Sequence, residues 1–142
     1  MFAGLREHSL RRVSALAVEK RYPSGTQVFA HGDAGDCMYL IVVGRVRISR
    51  DLGGLGEEAL AVLGPGQVFG EMALFDDSSR SADALATSDC TLLAISKDDF
   101  DDLLFEHKDL AYEVLWATVR LLGKRLREAN DKLLLLTGAA KF

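Results

Sequence analysis

Chemistry that depends on metals, redox pairs or membranes has little to work with in this sequence. Its 142 residues include two cysteines and three histidines. Neither Cys37 nor Cys90 has a partner at metal or redox spacing. That excludes a disulfide framework and leads to the expectation of a reducing cytoplasm. His8, His31 and His107 are scattered, with no HxH, HxxxH or HExxH, so metal catalysis lacks ligands. No apolar run approaches the roughly 18–20 residues that cross a bilayer. The opening, Met1 to His8, reaches Glu7 at once and carries no signal-peptide hydrophobic stretch, so no membrane partner is expected. Positive charge is in deficit: 17 Lys and Arg against 21 Asp and Glu, a net charge of −4 and a pI near 5.3. A chain built to coat nucleic acid through its phosphates has the opposite balance, so no direct nucleic-acid contact is expected.

What the sequence does have is core-forming material. Apolar residues make up 49% and charged residues 27%, a globular composition at a length suited to one domain covering 1–142. Three zones follow one another. Residues 1–22 read as a helical segment, with Leu5, Leu10, Val13, Leu16, Ala17 and Val18 among Arg, Glu and Lys before Tyr22-Pro23-Ser24-Gly25 breaks the stripe. Residues 23–96 carry short apolar runs, at Gln27–Ala30, Met38–Val43, Arg45–Ser49, Ala59–Leu63 and Cys90–Ile95. Turn signals punctuate them about every ten residues, the pattern of an antiparallel sandwich or barrel. Gly53-Gly54-Leu55-Gly56 lacks GxGxxG spacing and opens no helix, so it reads as a hairpin tip.

Residues 97–138 are predicted helical. Ser96 is an N-cap with Asp99 three places on, ahead of Phe100, Leu103 and Leu104. A break near His107 precedes a long helix from about Leu110 to Leu136, closed by Gly138. On it Leu115, Val119, Leu122, Leu126, Ala129, Leu133 and Leu136 are spaced 4, 3, 4, 3, 4 and 3 apart. That heptad seam suggests pairing with a second copy, although Leu121, Leu134 and Leu135 widen the stripe toward packing on its own domain.

The chemistry concentrates between Phe69 and Ala82. Gly70 follows a strand and lets backbone approach a ligand. Glu71 to Phe75 can form one helical turn whose free N–H groups attract an anion. Arg80, flanked by Ser79, Ser81 and Ala82, keeps its guanidinium fork open for bidentate phosphate binding. A carboxylate for a hydroxyl beside an arginine for a phosphate suits a ribose phosphate. On charge and spacing alone, an ion pair between Glu71 and Arg80 accounts for the two residues as well.

The segment from Phe69 to Ala82 resembles the phosphate-binding cassette of the cyclic nucleotide-binding domain family: Phe-Gly-Glu, a hydrophobic residue, Ala-Leu, a short loop, then Arg-Ser-Ala. Ser79 departs from the proline many members place before the arginine. Gly32-Asp33-Ala34-Gly35-Asp36, Tyr39-Leu40-Ile41 and Gly44-Arg45-Val46 look like the family's turns and strands. The resemblance implies a mainly β fold with flanking helices, an antiparallel β-roll of the double-stranded β-helix, jelly-roll-like kind.

It also implies roles. Arg80 would bind the exocyclic phosphate oxygens and Glu71 the ribose 2′-hydroxyl. Gly70 and Met72 would offer backbone donors, and Ser81 would complete the phosphate shell with Ala82 close behind. Ile48 and Leu60 fall where the family lines the base pocket, though either could be ordinary core. Asn130 falls near where members reach the base edge, though a polar flank of the seam accounts for it too.

Ser81 has the hydroxyl but not the methyl of the threonine associated with cGMP preference, so cAMP is expected, with cGMP as the alternative. The implied function is a regulatory sensor, not an enzyme, with no cofactor. It would act by rearranging its C-terminal helices, as a homodimer through the long helix, on a downstream protein the sequence does not identify. No helix-turn-helix follows the long helix, so a catabolite activator-type regulator without that part is the alternative reading. A cupin-like enzyme would need a histidine cluster around a metal, and the β region holds His31 alone.

Overall fold

A computed structural model describes residues 5–51 and 57–137. The hairpin-tip residues Gly53 to Gly56 and the capping Gly138 lie outside the described residues. The chain divides into two compact units, one of residues 13–103 and one of residues 1–12 with 104–142.

The first unit holds the strands. They are β1 (Val18–Tyr22), β2 (Gln27–Phe29), β3 (Cys37–Val43), β4 (Val46–Asp51), β5 (Glu57–Leu63), β6 (Val68–Phe69), β7 (Asp83–Ala86) and β8 (Cys90–Ser96). They form two four-stranded sheets, ordered β1-β8-β3-β6 and β2-β7-β4-β5, with every pairing antiparallel. Alternation decides what each sheet buries: along β7, Ala84 and Ala86 are buried while Asp83 and Leu85 are not. Tyr39, Ile41, Leu92 and Ala94 from one sheet join Val46, Ala84 and Ala86 from the other in a single apolar cluster. This is the mainly β, two-sheet antiparallel architecture expected from the sequence.

Gly44 shows why one turn needs glycine. Its φ is +98°, and a Cβ there would lie 2.5 Å from the Asp89 carbonyl oxygen. Ser96 caps α2 (Lys97–Glu106) by accepting the Asp99 N–H at 3.1 Å.

One boundary differs from expectation, and two short strands were not foreseen. The N-terminal helical segment 1–22 contains a helix, α1, only over Glu7–Ser14; residues 18–22 are instead β1, paired with β8 from Val18↔Ala94 to Tyr22↔Cys90. A few apolar residues cannot nucleate a further helical turn against a five-residue ladder. The short strands β6 and β7 carry too few residues for a period to show.

The second unit contains the long helix α3 (Lys108–Thr137) and most of α1. Glu113 of α3 accepts from Arg6 Nε at 2.7 Å and from the Ser9 hydroxyl, and Arg12 lies 3.7 Å from Asp109. No helix of the described residues is long and apolar enough to cross a membrane.

The hydrogen bond from Arg6, followed by that from Ser9, draws the Glu113 carboxyl down from 4.5 to about 2. A depressed folded value means the clamp's full contribution is present above pH 4.5 and fades as pH falls toward 2. Glu113→Gln is therefore expected to remove part of the acid sensitivity in that window. Melting midpoints across it check this, and parallel curves for variant and wild type count against the clamp.

Candidate functional site

The site begins where β6 ends. Gly70 has φ +72°, the left-handed region, and turns the chain into a single 3-10 turn over Glu71–Leu74. The Gly70 carbonyl accepts from Ala73 N–H at 3.2 Å, and the Met72 carbonyl accepts from Phe75 and Asp76. Glu71, Ala73 and Leu74 are buried by this turn, while Met72 stays exposed. After the loop, Ser79 bridges to Ala34, and the chain returns through Arg80, Ser81 and Ala82 into β7.

The β2–β3 turn is zipped onto this return. Arg80 N–H donates to the Asp33 carbonyl at 2.7 Å, and Gly32 N–H donates to the Arg80 carbonyl at 2.9 Å. His31 N–H donates to the Asp83 carboxylate at 2.7 Å, one step past the cassette. Arg80 thus starts from a fixed backbone.

Its side chain runs inward and is only 5% exposed. Nη1 donates to the Gly70 carbonyl at 3.2 Å and Nη2 to the Cys37 carbonyl at 2.6 Å. The guanidinium lies 4.2 Å from the centroid of the Phe29 ring and 5.9 Å from that of Tyr39. Phe29, Tyr39 and Phe69 pack together, with Tyr39 and Phe69 stacked at 5.1 Å. Asp36 places a carboxylate oxygen 3.8 Å from Nη2, but that carboxylate is 81% exposed. Burial raises the Cys37 thiol and the Tyr39 phenol, so both are neutral beside the cation. Arg80 Nε is the buried side-chain nitrogen without a hydrogen-bond partner among the described residues.

A buried cation is stable only when its donors are met and its charge is answered. Here two carbonyls and a ring face hold the guanidinium in place, one nitrogen is unmatched, and the nearby carboxylate is mostly in water.

Gly70 and Arg80 meet through the carbonyl hydrogen bond, and Glu71, Arg80 and Ala82 are all buried. Ser81 is exposed beside them. Ile48 on β4 is half-buried against the apolar cluster. Leu60 is the residue a bulge adds to β5, since Ala59 pairs with Ser49 and Ala61 with Ile48; it is 56% exposed. Asn130 is half-buried on α3, in the other unit. Sequence reading missed Phe29, Tyr39, Asp36 and the Cys37 carbonyl. The two rings could have been found as inward positions of their strands, whereas a carbonyl carries no mark of residue type. No group of three or more His, Cys, Asp or Glu among the described residues could hold a metal ion.

The class of protein is thus a two-sheet antiparallel roll that buries an arginine against two carbonyls and a ring face. The comparisons with known proteins agree with that class. Residues 19–107 match the model of the cyclic nucleotide-binding domain, and the chain belongs to this family. It is 38% identical over 137 residues to the Cyclic AMP receptor protein of Thermus thermophilus, covering 96% of this chain and 62% of that one. It is 32% identical over 106 residues to a cAMP-dependent protein kinase regulatory subunit of Yarrowia lipolytica, covering 75% of this chain and 27% of that one. The crystal structure of the Thermus thermophilus Catabolite Activator Protein matches 96% of this chain and 62% of its own with a TM-score of 0.80. The chain therefore spans less than two thirds of the curated relatives it first matches, 62% and 58% of their lengths.

Gly70 gives the site a sharp test. A Cβ there would fall 2.6 Å from Arg80 Nη1, on a backbone that side chains rarely adopt. Gly70→Ala should cost about 1–3 kcal/mol of stability, through strain and a displaced guanidinium. Chemical denaturation measures it, and an unchanged midpoint would show that Arg80 is not held as described.

Proposed function

We propose that the chain is a cyclic nucleotide sensor, with cAMP as its ligand, and that it regulates rather than catalyses. The observation that carries this reading is the buried, unmatched Nε of Arg80. A cyclic phosphate supplies two exocyclic oxygens, enough to take Nε and a neighbouring N–H as a bidentate pair. Glu71, buried nine residues earlier on the turn that Gly70 opens, would accept the ribose 2′-hydroxyl. Ser81 would add its hydroxyl to the phosphate shell, and Met72 and Gly70 their N–H groups, with Ala82 close behind. Ile48 and Leu60 are assigned to the base, as is Asn130. The names of the relatives from Thermus thermophilus and Yarrowia lipolytica support cAMP over other nucleotides.

The ligand would act by shifting an equilibrium between arrangements of the C-terminal helices, by no more than its differential affinity for them. The long helix is the proposed dimer surface. Leu115, Val119, Leu122, Leu126 and Leu133 are all exposed on α3, and Tyr112 extends their spacing by one further step. A β-branched Val119 alternating with Leu115 and Leu122 suits a two-stranded parallel pairing. A partner protein would receive the output, as would a DNA-binding segment in a catabolite activator-type regulator.

Cyclic AMP at a hundredfold excess over Kd should raise stability by about 2.7 kcal/mol. Arg80→Ala should fold, yet lose about 10–150-fold in affinity, equivalent to roughly 1.5–3 kcal/mol. Thermal shift and calorimetry with cAMP, cGMP, AMP and cyclic dinucleotides test this. Wild-type affinity in the variant would refute the phosphate assignment. For the dimer, Leu126→Asp should give monomers, because a charge would be desolvated in the seam. Light scattering at matched concentration decides, and an unchanged mass defeats the proposal.

A further inference from the structure

Lys97, the first residue of α2, touches three separate stretches of chain. Its backbone N–H donates to the Asp36 carbonyl at 2.8 Å. Its ammonium donates to the Asp76 carbonyl at 2.9 Å and to the Asp77 carboxylate at 2.6 Å. Asp36 closes the turn whose earlier residues fix the Arg80 backbone, and its own carboxylate lies 3.8 Å from the guanidinium. Asp76 and Asp77 form the exit of the cassette turn. One residue therefore joins the support of the buried arginine, the exit of the cassette turn and the start of a helix.

Helix preference does not explain a lysine here. The first turn of a helix is its positive end, where a cation is disfavoured and acids such as Asp98 and Asp99 belong. The ammonium is instead drawn back off the helix by a carbonyl and a carboxylate, and its side chain is 21% exposed. Asp77 is fully exposed, so that ion pair alone is weak. The Asp76 carbonyl, part-buried with the ammonium, fixes the geometry.

We infer that Lys97 is a positioning residue that makes the first turn of α2 follow the cassette when a ligand enters it. The inference rests on the proposed nucleotide reading. Lys97 itself contacts no ligand. An anion seated on Arg80 settles residues 71–79, and the Lys97 ammonium carries that displacement into α2. Helix α2 leads through His107 alone into α3.

Hydrogen exchange on the full chain, with and without saturating cAMP, tests the coupling, and calorimetry reports binding separately. In the wild type, cAMP should slow exchange in both the cassette (69–82) and α2 (97–106). Lys97→Met should bind cAMP within about fivefold of wild type, since only a weak ion pair and one carbonyl contact are lost. It should still protect the cassette while losing at least about half of the α2 response, and Lys97→Arg should restore that response. Asp77→Asn, which removes an exposed carboxylate only, should give a smaller loss and serves if Lys97→Met does not fold. A full α2 response in Lys97→Met, or in Asp77→Asn if that is the variant that folds, overturns the inference. So does a wild type whose cassette is protected while α2 is not. Absence of any cAMP binding to the wild type overturns the nucleotide reading itself, and this inference with it.

Discussion

The structure turns on the burial of one positive charge. Removing a guanidinium from water is costly unless its hydrogen-bond donors and its charge are both answered from within. Among the described residues the roll answers the donors in part, through the Gly70 and Cys37 carbonyls, and answers the charge only loosely, through Asp36 at 3.8 Å. The Phe29 ring, 4.2 Å away, gives the cation a polarisable face without an opposing charge. Such a group has more to gain from an arriving anion than one already locked in a tight ion pair.

Much of the surrounding architecture serves to keep that cation still. The β2–β3 turn is laced to the Arg80 backbone from both directions, and the Tyr39–Phe69 stack fixes the wall beside it. Positioning by main chain removes rotamer freedom before a ligand arrives, so less ordering remains to oppose binding. The helical unit is secured differently, by a carboxylate on α3 reached from two side chains of the α1 region.

The sequence made the long-range plan visible where local signals were redundant. Runs bounded by turn residues located β2, β3, β4, β5 and β8, and Ser96 with Asp99 marked the start of α2. The cassette was legible because its chemistry sits in one contiguous stretch, from Phe69 to Ala82. What escaped notice depends on distant pairing. Residues 18–22 become a strand only because β8 offers a ladder, and their composition does not announce it. The ring face at Phe29 and the acceptor at Cys37 reach Arg80 across many residues of chain, beyond the range of any periodicity.

The acceptor at position 37 has a consequence of its own. What Arg80 takes from it at 2.6 Å is a peptide oxygen, while the thiol lies 3.9 Å from the same nitrogen. Every amino acid brings an identical oxygen, so drift in side-chain identity leaves this acceptor untouched. Heredity here resides in the course of β3, and a lineage could exchange the buried cysteine for another small apolar residue while remaining bound to the path its strand must trace.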